Sequence, residues 1–217
     1  MNKIKIFTFN PFSENTYIIA AENGECVIID PGCADREEEK ILADYISGNG
    51  LKPVKLLNTH CHIDHILGNV FCMEKYGIEL YANKEDIYNI KAADAFAESF
   101  GVRKPGSPPP THYLREGDTV VFGNVILEVL FTPGHSAGHV VFYNRNGNYV
   151  IGGDVLFRES IGRTDLPGGN YAVLIRSITE KMFGLPDDTV VYPGHGPETT
   201  IGHEKVHNPF LNLIDAN

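Results

Sequence analysis

The run Thr59-His60-Cys61-His62-Ile63-Asp64-His65 directly follows a short apolar stretch, Val54 to Leu57. Three histidines and an aspartate crowded into it constrain this chain more than any other feature. Neutral imidazole and carboxylate are the side chains that a borderline-soft divalent metal takes. Further donors occur downstream in a common setting. Val125 to Phe131 runs into Thr132-Pro133-Gly134-His135, Tyr149 to Ile151 into Gly152-Gly153-Asp154, and Thr189 to Tyr192 into Pro193-Gly194-His195. Each polar residue stands just beyond a hydrophobic strand with glycine beside it. Loops at strand ends are where rigid scaffolds hold functional side chains, and glycine lets the backbone turn or approach closely. Four strand ends thus present His or Asp, and together they supply enough ligands for two metals with open positions.

The apolar pattern gives the scaffold. Ile4 to Phe9, Thr16 to Ala21 and Cys26 to Ile29 read as strands, and Asp30-Pro31-Gly32 stops the third. Asp35 with Glu38 forms a capping-box signature before a helix over 38–46, ended by Gly48-Asn49-Gly50. Asn69 to Tyr76 reads as a helix closed by Gly77, and 84–100 as one or two helices. Lys104 to Pro110 is a stiff surface loop. Strands resume at Thr119–Phe122, Val125–Phe131, His139–Tyr143, Tyr149–Ile151 and Thr189–Tyr192. Asn170 caps a helix reaching Met182. Strands followed by helices, twice over, suggest two sheets covered by helices.

Composition narrows the function. A formal charge of −10, with no basic run, argues against general nucleic-acid binding. No stretch has the apolar length of a membrane span, and the N-terminal residues lack a signal-peptide pattern. Cys26, Cys33, Cys61 and Cys72 show no C-x-x-C spacing and read as the reduced thiols of a cytoplasmic protein. No G-x-S-x-G elbow offers a competing nucleophile.

The segments T-H-x-H-x-D-H, T-P-G-H-S-x-G-H, G-D and Y-P-G-H-G resemble the metallo-β-lactamase superfamily. The run Gly162-Arg163-Thr164-Asp165-Leu166-Pro167-Gly168-Gly169 and the ending Gly194-His195-Gly196-Pro197-Glu198-Thr199-Thr200 are similar to bacterial glyoxalase II-like hydrolases. The resemblance implies an α/β (α+β) fold, a four-layered αββα sandwich. It implies one domain over residues 1–217, with a helical insertion at 84–111. His60, His62 and His135 would hold a first divalent ion; Asp64, His65 and His195 would hold a second; Asp154 would bridge them. Zinc is the expected metal, with iron or manganese also compatible with these donors. The implied reaction is cleavage of a small-molecule thioester such as an S-acyl-glutathione by a metal-bridging hydroxide, with Asp64 orienting the nucleophile.

The chain departs from glyoxalase II at its end. The expected C-terminal helical domain that helps bind glutathione has no counterpart, and Gly196-Pro197 stands where a tyrosine usually follows the last metal histidine. Substrate contacts are then expected from 84–111 and from Arg163, either a carboxylate clamp or a surface salt-bridge residue. His139 is expected beside the metal ligands rather than among them. His112, His203 and His207 are expected on the surface or at helix caps, and Cys61 should point away from the metals. The rival readings are a mononuclear iron persulfide dioxygenase, a phosphodiesterase or nuclease, a β-lactam hydrolase, and a non-enzymatic metal-binding protein.

Overall fold

The computed structural model describes residues 3–211. The first sheet holds β1 (Lys3–Phe9), β2 (Glu14–Ala20), β3 (Glu25–Ile29), β4 (Lys52–Leu57), β5 (Leu80–Ala82) and β6 (His112–Tyr113), in that spatial order. The second holds β7 (Thr119–Phe122), β8 (Val125–Phe131), β9 (Val140–Asn144) and β10 (Tyr149–Gly153). A small hairpin follows, β11 (Leu156–Phe157) with β12 (Ser160–Ile161). The strands β13 (Val190–Pro193) and β14 (Thr199–Thr200) complete the second sheet in the order β14-β13-β10-β9-β8-β7. The helices are α1 (Arg36–Gly48), α2 (Ile63–Ile66), α3 (Asn69–Tyr76), α4 (Ile87–Phe96), α5 (Tyr171–Ser177) and α6 (Ile201–His207).

Three apolar cores define four layers. Successive side chains on a strand point to opposite faces. Tyr17, Ile19, Val27 and Ile29 therefore turn inward, to meet Leu127, Val129, Phe142 and Ile151 of the other sheet. Ile18, Cys26 and Ile28 turn outward beneath Leu42 and Ile46 of α1 and Cys72 of α3. Val141, Tyr143 and Val150 of the second sheet pack outward on Leu174 of α5 and Ile201 of α6. The arrangement is the expected αββα sandwich. Because both faces of β2 are covered, all seven of its residues are buried.

Strand direction explains why the polar strand ends gather. β3 and β4 are parallel, so Asp30 and His60 leave the first sheet at one edge. β10 and β13 are parallel, and β8 and β10 both run antiparallel to β9. His135, Asp154 and His195 therefore leave the second sheet at a single edge. The two edges are joined directly. The Asn15 N–H donates to the Gly194 carbonyl at 2.7 Å, and Asn15 Nδ2 donates to the carbonyls of Pro193 and Gly196.

Local expectations differ in instructive places. The Asp35 carboxylate caps α1, accepting from the N–H groups of Glu37 and Glu38, but the capping box is not closed. Glu38 instead accepts from the N–H groups of Asn10 (2.8 Å) and Ala34 (2.7 Å), tying the β1–β2 turn to the helix start. The helix after Asn170 is α for two turns and then widens into a π turn at Ile178–Met182. The Lys104–Pro110 loop is fastened to the body: the Gly106 N–H donates to Asp94 and Asn69 Nδ2 donates to Ser107 Oγ.

Candidate metal centre

The structure brings the seven predicted residues together. His60 and His62 extend from β4, and Asp64 and His65 lie on the short helix α2 that follows immediately. His60, His62 and His135 form one cluster and Asp64, His65 and His195 another, with candidate ligand atoms within 4.8 Å of one another in each. His135 Nε2 stands 2.8 Å from His62 Nδ1 and 3.2 Å from His60 Nε2. His195 Nε2 is 3.2 Å from Asp64 Oδ2, and His65 Nε2 is 3.6 Å from the same oxygen. The Asp154 carboxylate lies between the clusters: Oδ1 faces His65 Nε2 at 3.5 Å, and Oδ2 faces His135 and His195, each at 3.5 Å.

The hydrogen-bond network assigns the ring tautomers. His135 Nδ1 donates to the Arg163 carbonyl (2.8 Å), and His195 Nδ1 to the Phe12 carbonyl (3.1 Å). His65 Nδ1 faces Asp30 Oδ2 (3.2 Å). His60 Nδ1 donates to Thr59 Oγ1, whose hydroxyl in turn donates to Asp30. In each of the four rings Nδ1 is thus occupied, and the Nε2 lone pair is aimed at the centre, which is how metal-binding histidines are fixed. His62 presents Nδ1 instead. His65 Nε2 and Asp154 Oδ1 are buried without a hydrogen-bond partner. Buried polar atoms are normally satisfied. Two such orphans facing one another across converging imidazoles fit a pair of divalent cations.

Electrostatics differ between the two clusters. Burial and the neighbouring histidines pull His60 well below the ordinary imidazole value, and burial with His135 pulls His62 down to about 3. Both rings are therefore neutral and ready to bind a cation. Burial also disfavours charge on His65 and His195, but the carboxylates of Asp64 and Asp154 outweigh it and raise both. Burial would raise Asp154, but His65, His135 and His195 hold it well below the usual carboxylate range.

Several supporting residues gave no readable signal in the sequence. Asp30, at φ 49°, accepts from the Thr59 N–H (2.7 Å) and hydroxyl (2.6 Å) and contacts His65. It lies close to His60 and His65, yet both of its oxygens are already engaged. It positions ligands rather than joining them. Asp86 is fully buried and accepts from the N–H groups of Cys61 (2.8 Å) and Gly138 (2.6 Å) and from the Ser136 hydroxyl. It clamps the two ligand loops together. His139 stands beside the ligands: the Asp154 N–H donates to its Nε2 at 3.0 Å, and its ring stacks on His60. Cys61 packs away from the site against Ile66, Ala82, Ile90 and Ala93. His112 and His203 pair at the surface with Glu79 and Glu159, and the caps of α6 are Thr200 and Asn208 rather than His203 or His207.

The centre floors a cleft of about 740 Å³. Tyr88 and Phe96 of α4, with Phe100 just beyond, form one wall, so the 84–111 segment does border the site. Arg163 is at the rim, 61% exposed, with its guanidinium bound two-pronged to Asp165 at 2.7 Å on each arm. It is Arg163's main-chain carbonyl that engages the centre, through His135.

Two mixed sheets under helices, with two clusters of potential metal ligands flanking the Asp154 carboxylate at the sheet edge, define an αββα protein of a metal-binding class. The chain belongs to the metallo-beta-lactamase superfamily, whose family model matches residues 9–195 and whose members are in general metal-dependent hydrolases. It is 42% identical to the probable metallo-hydrolase YqgX of Bacillus subtilis, over 93% of this chain and 94% of that one. It is 35% identical to the hydroxyacylglutathione hydrolase GloC of Haemophilus influenzae, over 96% and 98%. Among solved structures it resembles the BLEG-1 B3 metallo-beta-lactamase (TM-score 0.88, 34% identity, covering 96% and 99%). It also resembles TTHA1623 in a di-iron-bound form (TM-score 0.85, 40%, covering 95% and 100%). ETHE1 of Myxococcus xanthus is similar at TM-score 0.79 and 27% identity, covering 99% and 91%. Among the described residues no helix is long and apolar enough to cross a membrane.

Proposed function

We propose that this chain is a binuclear metal-dependent hydrolase that cleaves small-molecule thioesters. The observation that carries the reading is the Asp154 carboxylate, which presents one oxygen to His65 and the other to His135 and His195. A carboxylate so placed is suited to bridge two cations. His60, His62 and His135 would hold one ion, and Asp64, His65 and His195 the other. Zinc, iron and manganese are all compatible with the donor set. When bound, such a pair acidifies water towards neutrality and polarises a carbonyl.

The remaining steps belong to the chain itself. Asp64 borders the cleft with Oδ2 turned to the histidines; its other oxygen is assigned to hold the proton of the attacking water. The water oxygen adds to the thioester carbonyl carbon. The C–S bond then breaks with its electron pair on sulfur, giving a carboxylic acid and a thiolate, which takes up the proton held at Asp64 to become the thiol. A thiolate of ordinary pKa, about 8.5, leaves without prior protonation, so a separate general acid is unnecessary. Asp30, Asp86 and His139 hold the ligand loops and exclude alternative rotamers. The activity named for GloC supports a glutathione thioester among the candidates, and the small-molecule scale of the cleft supports the substrate class.

Likeness to ETHE1 keeps an oxidative reading in play; the complete Asp64–His65–His195 cluster favours hydrolysis. One purified sample decides between them. Elemental analysis is expected to give close to two transition-metal ions per chain, with thiol release from S-acyl thioesters and no oxygen uptake. One ion per chain, with oxygen consumed on a glutathione persulfide, would replace this reading with the dioxygenase.

A further inference from the structure

The walls of the cleft carry a specificity that the metal ligands do not. Tyr88, Phe96 and Phe100 are 61%, 52% and 46% exposed, and all three border the cleft. Phe12, from the β1–β2 turn, meets Phe100 edge to face, with ring centroids 5.7 Å apart. Phe157 and Ile161 of the β11–β12 hairpin, with Leu166, add further apolar lining to the cleft. Exposed apolar groups gathered around one cleft mark a binding surface rather than scattered surface residues.

Charge points the same way. Among the described residues bordering the cleft, Arg163 is the one lysine or arginine, and its charge is already paired with Asp165, which takes its Nε and Nη2. A ligand carboxylate would have to share this one guanidinium with Asp165, which already holds it in two-pronged geometry. Glutathione carries two carboxylates, and these walls offer them a single cation whose charge an aspartate already balances. A thioester with its carbonyl at the metal floor would lay its arms against this largely apolar lining.

Resting on the hydrolase reading above, we infer that the site selects thioesters uncharged on both arms and bearing a bulky aromatic or long aliphatic group, with Phe96 and Phe100 as specificity determinants, rather than thioesters of glutathione.

The test uses the metal-loaded full chain. Values of kcat/KM are compared for S-lactoylglutathione and for acetyl and phenylacetyl thioesters of N-acetylcysteamine. The phenylacetyl compound is expected to exceed both others by tenfold or more. In Phe96→Ala/Phe100→Ala, with metal content checked, the phenylacetyl-to-acetyl ratio should fall at least fivefold. A preference for S-lactoylglutathione, or a ratio unchanged in the variant, overturns the inference. Calorimetry with two non-hydrolysable thioethers separates it from the catalytic reading. If no thioester is cleaved, the hydrolase proposal fails. The inference about the walls then stands if S-(2-phenylethyl)-N-acetylcysteamine binds at least tenfold tighter than S-methylglutathione and loses that advantage in the variant. It falls if S-methylglutathione binds as well or better.

Discussion

At the scale of single residues, the centre depends on groups that touch no substrate. Asp86 lies far in sequence from both partners, Cys61 and Gly138, so no local spacing announces it. Its three hydrogen bonds fix His60 and His62 against the loop of His135. Asp86→Ala would strand two buried N–H donors, each worth about 1–3 kcal/mol when left unsatisfied. Chemical denaturation is expected to show a loss of about 3 kcal/mol, and a dye-chelator titration to show weaker metal binding at the His60–His62–His135 cluster. Wild-type stability in the variant would mean the clamp is redundant. The cysteines give a second residue-scale expectation. Burial pushes Cys26 up to about 12 and raises Cys33, Cys61 and Cys72 as well. Reactivity needs the thiolate, so iodoacetamide at pH 8 should label none of the four in the native chain and all four in guanidinium. The linkage has a definite sign. Above the unfolded thiol pKa, about 8.5, the unfolded chain binds fewer protons than the folded one. The stability contributed by these thiols is full below that pH and falls as pH rises from there towards 12. A denaturation midpoint flat from pH 8 to 10.5 would count against it.

At the scale of elements, what the sequence revealed follows from how locally each signal is written. The candidate ligands after β4 and on α2 are almost contiguous, and those after β8, β10 and β13 share a strand-then-glycine setting, so their gathering at one edge was readable. Long strands such as β8 carry enough alternation to be seen. β5, β6, β11, β12 and β14 have two or three residues each, too few for any period, and they exist only because a neighbour supplies the ladder. The supporting residues Asp30 and Asp86 act across the fold and left no local pattern. Arg163 was readable as a residue near the site, but neither its pairing with Asp165 nor the bond from His135 to its carbonyl left a local pattern. Gly194, at the end of β13, shows how closely the elements approach. A Cβ there would lie 2.1 Å from Asp154 Oδ1 and 2.8 Å from the His65 ring. Gly194→Ala must therefore displace the carboxylate between the two clusters. Thiol release from any thioester is expected to fall at least a hundredfold and metal content to drop below two per chain, while far-UV circular dichroism is unchanged. Retention of two ions and near-normal turnover would show that Asp154 does not need its observed position.

At the scale of the whole molecule, the centre is a bridge between two sheets. His60, His62, Asp64 and His65 belong to the first; His135, Asp154 and His195 to the second. Cations held between them would stitch the sandwich along one edge, but they are not its sole fastening. The inter-sheet core and the Asn15 bonds to Pro193, Gly194 and Gly196 do not involve the ligands. Without cations, His65 and His195, both raised towards protonation, can pair with Asp64 and Asp154 and limit the repulsion there. The metal-free chain is therefore expected to stay folded but to melt earlier. An ion present at a hundred times its dissociation constant adds about 2.7 kcal/mol, so two add roughly 5 kcal/mol. For a chain of this length each kcal/mol moves the midpoint by about 2–4 °C. Chelation with verified metal removal should lower Tm by about 10–20 °C with little change in far-UV circular dichroism, and re-addition of metal should restore it. An unchanged Tm would deny the ions a structural role at this edge, and complete unfolding would show that the inter-sheet core alone cannot hold the sandwich together.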